Sequence, residues 1–574
     1  MKKIYTLFPS LILLFSIVPF LVNAQDLITG SQVSGSFEGD AQYYLKDSKM
    51  GITDSSLDGR LSRMNGFTEI NYSFKNFSAG MRFEAYLPPL VGFDTHYEGY
   101  GVPYWFLNYK NDKLEITAGN FYEQFGNGMT LRTWQEWTLG YDNSLRGLRV
   151  KFSPVDGITL KGVWGIQRNF WEVYSNNNRG IVKGGDIDFF LNDLFSGLKN
   201  AKTKVSFGGS FVSDYQRGKT TDILIDTLIY TLKLPENVAI YSGRLNLNVG
   251  GVNFYTEYAH KINDPSSMNK FIYKDGNGLF TTLSYSQKGL GILASAKIID
   301  NMSYKSNRLV TNNQLNINYL PAITKQHAYA LSAMYPYATQ PTGEFGYSGT
   351  LTYTFKRNTK LGGKSGLTFA VNFSKVNSLS KDSIFVSSIN GMALNRAGTT
   401  GYKTNFFSPG KEVYYQDLNI EIDKKFSKRW KGIFTYLNQV YNKEVVEGHA
   451  TDYGLVHANI GIADITCNLT HIYSLRAEFQ GLWTKQDKGN WSACLFEFTI
   501  APKWFFSVQD QWNYGNPDKQ QQLHYYLVSA GYTYNTSRIS LSYGRQREGI
   551  LCVGGVCRYV PAASGLTLTV NSSF

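Results

Sequence analysis

Apolar and polar residues alternate along much of this chain. At 77–85 the apolar residues Phe77, Ala79, Met81, Phe83 and Ala85 occupy every second position, with Gly80, Arg82 and Glu84 between them. The pattern recurs with Phe345, Tyr347, Leu351, Tyr353 and Phe355 set against Ser348, Thr350, Thr352 and Thr354. It appears again at Leu367, Phe369, Val371 and Phe373, and at Trp504, Phe506 and Val508. Successive side chains of a strand point to opposite faces, so each segment predicts a strand with one apolar and one polar face. Alternation alone does not separate a soluble sandwich from a barrel.

Three further features make the separation. Strands repeat to the end of the chain, and no segment of helical period is long enough to cover a sheet. Short turns at Val249-Gly250-Gly251, Gln287-Lys288-Gly289, Phe426-Ser427-Lys428 and Asn535-Thr536-Ser537 are interleaved with longer polar loops near 45–60, 214–236, 378–410 and 548–563, the asymmetry of barrels that cross the outer membrane. The final segment places Leu566, Leu568, Val570 and the terminal Phe574 on one face, an ending similar to that of barrels handled by the outer-membrane assembly machinery. The expected fold is therefore all-β: a single large transmembrane antiparallel barrel of about 26 strands, within a range of 22 to 26. The range comes from 170–235 and 300–345, where two strands are gained or lost according to how the segments are divided.

Residues 1–24 have the parts of a cleaved signal peptide: Lys2 and Lys3, an apolar run, and Val22-Asn23-Ala24 before Gln25. The barrel is then expected to occupy 25–574, in the cell outer membrane. Alternation begins near Val33, which leaves no room for the large N-terminal plug of a TonB-dependent transporter, and no periplasmic module is expected before or after the barrel.

Composition agrees. Aromatic residues make up 15% of the chain, with 40 Tyr and 37 Phe, while charged residues reach only 18%, below the roughly 25% usual in soluble domains. Such a surplus suits strands and the aromatic girdles of a membrane barrel. Removing Lys2 and Lys3 from the formal charge of +13 leaves +11. No basic run with interleaved aromatics or zinc-finger spacing points to nucleic acid, so contact with outer-membrane lipid and lipopolysaccharide phosphates, or a cationic pore, is the expectation.

No enzyme, cofactor or metal site is expected. The seven histidines are scattered, no Gly-x-Ser-x-Gly elbow occurs, and Gly362-Gly363-Lys364-Ser365 lacks the first glycine of a phosphate loop. Cys552 and Cys557, flanking Gly554-Gly555 in an exported chain, are candidates for a disulfide-closed hairpin, with free thiols or a metal site as the alternatives. Cys467 and Cys494 fall on strands that are not neighbours and read as unpaired, lipid-facing or packed thiols. Parity assigns Arg82, Glu84, Arg149, Lys151, Arg244 and Glu421 to the lumen, either as a field for solutes or as cross-strand pairs that brace the wall.

The segment 121–147 breaks the alternation. It carries Tyr122, Glu123, Arg132, Trp134, Glu136, Trp137, Asp142 and Arg146. A loop folded into the lumen as a constriction would have this composition, and so would a strand pair projecting beyond the membrane.

Three stretches, 119–128 (GNFYEQFGNG), 141–147 (YDNSLRG) and the end from 544–549 (GRQREG) through Cys552, Cys557 and 558–561 (RYVP) to Phe574, resemble a family of large outer-membrane barrels from Bacteroidota known only as a domain of unknown function. The resemblance covers the expected mature chain and implies fold and location but no functional residue. The leading functional expectation is a channel for small polar solutes. The alternative is a structural or accessory barrel with an envelope protein partner in a secretion or assembly complex, and a rim enzyme comes last.

Overall fold

The computed structural model describes residues 30–574 except 172–179, 219, 226–227, 312, 384–396 and 449, so the expected leader at 1–24 lies outside the described residues. Twenty-four antiparallel strands form one sheet. Nearly all successive strands pair through the intervening connection, as alternating side-chain faces and short turns require. The ring closes where Ser31–Tyr44 pairs with Ala563–Ser573, in register from Ser36 opposite Ser573 to Tyr44 opposite Gly565. Phe574 extends this seam: its backbone exchanges two 3.0 Å hydrogen bonds with Gly35, and its ring lies where a side chain at 35 would stand. Closure removes both free edges of this sheet, the condition for strands to cross hydrocarbon.

The strand number is 24, inside the expected range of 22 to 26, and two stretches within the segments where strands could be gained or lost add none to the wall. Residues 301–342, between the strands Leu290–Asp300 and Gly343–Phe355, contribute no strand to the wall. Pro321, Pro336 and Pro341 withhold the N–H groups that a ladder needs. Residues 220–233 do form strands, but as a separate two-stranded hairpin outside the barrel sheet.

The outward face is apolar. Leu107, Leu148, Phe207, Leu283, Leu351, Phe496, Val508 and Leu541 are all exposed there. Near the short turns this band is bordered by exposed Phe77, Tyr285, Tyr353, Trp430, Tyr473, Trp504 and Tyr534, and at the long-loop end by Tyr43, Tyr100, Tyr241, Tyr258, Trp483, Trp512 and Tyr526. These are the two aromatic girdles of an outer-membrane barrel. Cys467 and Cys494, on strands Leu455–Asn468 and Trp491–Ile500 separated by Tyr473–Trp483, are free thiols on this outward side. Among the described residues no helix is long and apolar enough to cross a membrane.

The hydrophobic core lies inside the ring. Side chains of a 24-stranded wall cannot meet across the lumen, so chain from the long loops must supply the filling.

Candidate functional site: an internally packed lumen

Residues 122–144 leave the wall after Leu114–Phe121 and turn inward. Phe125, Met129 and Leu131 are fully buried and pack with Met302, Tyr304, Ile317 and Leu320 of the second inward segment. Both meet the inward residues Val163, Val182, Val212 and Ile240 of the wall. The two segments are also joined through their backbones: Arg132 N donates to Ile317 O at 2.9 Å and Tyr319 N to Gly128 O at 2.8 Å. The Arg132 guanidinium stacks 4.0 Å from the Tyr319 ring and 5.0 Å from the Trp134 ring.

Segment 301–342 spans the lumen. Near one wall the Asn316 carbonyl accepts from Gln167 Nε2 at 2.7 Å and from Asn143 Nδ2 at 2.8 Å. Near the far wall Leu331 N donates to Gln480 Oε1 at 2.8 Å, and His327 Nε2 lies 2.6 Å from Asp417 Oδ2. Leu331, Tyr335 and Tyr337 fill a second core with Val376, Tyr415, Leu437, Tyr441, Ile460, Leu482 and Trp491. At its own root, buried Lys297 holds the segment by donating to the Pro321 carbonyl at 2.6 Å while paired with Glu344 at 2.5 Å.

Charge fixes the first segment to the wall. Arg168 donates from Nη1 and Nη2 to the two oxygens of Glu84 at 2.7 Å each, and from Nη1 to Asp142 Oδ2 at 2.8 Å. Arg82 donates from Nε to Glu84 at 2.7 Å, from Nη1 to Gln135 at 2.5 Å, and from Nη2 to Asp142. All four charged groups are at most 3% exposed. Burial alone would raise the Asp142 carboxyl, but the two guanidiniums outweigh it and hold the group down at about 2. The Arg82 guanidinium also lies over Tyr104 and Trp137, and Trp137 stacks on Phe67 with centroids 3.8 Å apart.

The remaining candidates divide between this internal packing and the wall. Tyr122 donates to Gln135 at 2.9 Å. Glu123 is gripped by Arg149 at 2.5 Å and Lys161 at 2.9 Å; burial pushes its carboxyl up, but the two cations outweigh that and leave it below its ordinary value. Glu136 only caps a short turn through Thr138. Arg146 is not brought into the group. It lies two residues before exposed Leu148 on the strand Leu145–Phe152 and so shares its outward face, and one step of register separates it from the inward series Leu145, Arg149, Lys151. Arg244 pairs with Asp186 at 2.7 Å and Asp188 at 2.6 Å within the wall, and Glu421 meets Lys325 of the inward segment at 3.4 Å. Cys552 and Cys557 are joined by a disulfide.

Toward the short turns the inner face changes character on one side of the ring. Asp423, Lys431 and Arg476, on the strands Tyr402–Lys425, Trp430–Asn442 and Tyr473–Trp483, point inward at 36%, 47% and 31% exposure, so water reaches the inner face there. Sequence reasoning missed segment 301–342, Arg168 and the Lys297–Glu344 pair. The three prolines and the lack of alternation were the available signal for the segment; for Arg168 there was none, because its role depends on residues 84 and 142 reaching it through the fold.

Among the described residues no group of histidine, cysteine and acidic side chains is arranged to hold a metal. Among curated proteins no relative matches. Of solved structures, the siderophore receptor PirA from Pseudomonas aeruginosa aligns at 10% identity over 94% of this chain and 80% of its own, with a TM-score of 0.39. The translocation pore of the P pilus usher PapC aligns at 8% identity over 94% of this chain and 99% of its own, with a TM-score of 0.40. A family described as of unknown function, DUF6029, matches residues 1–574, and the chain belongs to that family.

Proposed function

We propose that this protein is an outer-membrane channel for small polar solutes that is closed at rest by its own inward segments, 122–144 and 301–342. The observation that carries the reading is the contrast along the lumen: a wet, charged inner face toward the short turns, and a core of buried side chains toward the long loops. A protein needing only a rigid scaffold gains nothing from a water-lined inner face. One that admits solutes on demand needs a vestibule and a plug that can yield.

The plug can be removed without cutting the wall. Asp300 and Gly343 are register partners, so a two-residue turn can replace 301–342 and leave the strand ladder intact. In planar bilayers the shortened variant is expected to give large discrete conductance steps, and the full chain rare ones. A shortened variant whose circular dichroism still reports the barrel but whose bilayers stay sealed would overturn the channel reading.

The second reading is an accessory barrel of an envelope assembly. It draws on the number of fully buried residues in the plug, among them Phe125, Met129, Leu131, Ile317 and Leu331. Under it, purification in mild detergent returns a stoichiometric envelope protein, and the barrel alone counts against it.

A further inference from the structure

The loop 547–562 closes the plug from a third direction. Its hairpin pairs Gly549–Val553 with Val556–Val560 around Gly554 and Gly555, whose φ angles of +58° and +84° form the tight turn that matches strand twist. Cys552 faces Cys557 across this ladder, and their disulfide fixes the pairing.

The hairpin tip is seated in the inward segment. Tyr319 Oη donates to Gly554 O at 2.6 Å, Thr339 N to Gly555 O at 3.2 Å, and Gln326 Nε2 to Cys552 O at 2.9 Å; Asn313 Nδ2 donates to Cys557 O. A methyl group at 554 or 555 would stand 2.7 Å from the Tyr319 or Thr339 oxygen, so the glycines fit where no side chain could. Arg558 stacks over Phe93 at 4.2 Å and donates to the Thr138 carbonyl of the other inward segment at 2.8 Å, while Arg547 donates to Ala330 O at 3.2 Å. Beneath the tip is a cavity of about 120 Å³ lined by Trp134, Lys305, Asn316, Tyr319, Thr339 and Gly555. One disulfide-closed hairpin therefore bonds to both plug segments from a connection more than two hundred residues further along the chain.

We propose that this hairpin is the clasp of the plug, and that its disulfide is a redox latch: oxidised, it holds 301–342 in place, and reduced, it releases the segment. The backbone acceptors at 552, 554, 555 and 557 keep their spacing only while the two strands stay paired, and an isolated hairpin of two such short strands without its cross-link is marginal in water. The chemistry is thiol–disulfide exchange. A dithiol reductant attacks one sulfur, the Cys552–Cys557 bond breaks to two thiols, and the reductant supplies two electrons and two protons as it closes to its own disulfide. As the latch of a gated channel this rests on the channel reading above; as a clasp on 301–342 it does not.

The experiment uses the full chain in detergent and in planar bilayers, with dithiothreitol as the reductant. Amide hydrogen exchange across 313–341 is expected to accelerate roughly tenfold or more on reduction, and equally in a Cys552→Ser/Cys557→Ser variant, while the wall strands keep their protection. The double variant is expected to be indifferent to dithiothreitol, which separates the latch from Cys467 and Cys494. Unchanged exchange in both reduced and double-variant protein overturns the clasp. If exchange rises and conductance rises with it, both readings stand. If exchange rises but neither the reduced protein nor the 301–342 replacement conducts, the clasp stands and the channel reading falls. If the replacement conducts and reduction changes exchange but not conductance, the hairpin is a clasp and not the latch.

Discussion

Replacing Asp142 by Asn is expected to release segment 122–144 from the barrel wall. The substitution keeps the shape of the side chain and removes the charge on which Arg82 and Arg168 converge, leaving two guanidiniums, each 1% exposed, with Glu84 as their one buried carboxylate and the partly exposed Glu69 3.5 Å from Arg82. Orphaning a member of a buried charge cluster costs about 3–5 kcal/mol, enough to raise local opening of the segment by about a hundred-fold to a few thousand-fold at 1.4 kcal/mol per decade. Amide exchange across 122–144 reads this directly, with Glu136→Gln, whose carboxylate serves only an exposed turn, as the variant that leaves it unchanged. Exchange rates in D142N equal to those of the parent would show that hydrophobic packing alone holds the segment. The cluster also sets a pH dependence. The Asp142 carboxyl titrates at about 2 in the folded chain, below its ordinary value of about 3.9, so its contribution of roughly 2–3 kcal/mol is present above that ordinary value and lost as pH falls through about 2. Protection of 122–144 is therefore expected to be flat from pH 8 to 5 and to fade only below about 4.

The wall was legible in the sequence because its physics is local. A period of two at Phe77–Tyr86 or Trp504–Trp512 reports which face meets hydrocarbon whatever lies elsewhere in the chain, and Gly250-Gly251 or Asn535 marks a turn by its own conformational demands. The filling of the lumen was legible only where composition broke that period. Segment 121–147 stood out, but its aromatic and charged residues fit an inward loop and a projecting strand pair equally, and the choice depends on partners such as Glu257 of the strand Val252–Lys261, which accepts from Asn127 N at 2.8 Å. Near 300–345 the sequence left open whether two strands are gained or lost; what decides it is that the wall pairs Asp300 directly with Gly343 and leaves the intervening chain nowhere to go but inward or out. Charge roles were the least legible. Arg82 and Glu84 were placed on the lumen side by parity, yet whether they face solute or brace the wall is settled by Arg168 and Asp142, residues more than fifty positions away.

The pair Lys297 and Glu344 allows a sharper separation of charge from packing at the root of 301–342. Both are fully buried, 2.5 Å apart on adjacent strands, and each also holds the segment: Lys297 donates to Pro321 O, while Glu344 accepts from Tyr337 Oη at 2.5 Å and Gln340 N at 2.8 Å. Lys297→Met is expected to be costly, about 3–5 kcal/mol, because it leaves a carboxylate in a dry site with only two neutral donors. Glu344→Gln is expected to cost as much by stranding the ammonium. The double variant K297M/E344Q removes both charges and keeps similar volumes, so it is expected to recover most of the loss, with a coupling of at least about 2 kcal/mol in the double-mutant cycle. Exchange protection across 302–341 supplies all four corners. Additive losses would mean that each residue acts through its own hydrogen bonds to the segment and that the ion pair between them is incidental; strong coupling would mean that the pair is a single electrostatic unit, retained at the root because breaking either half frees the segment.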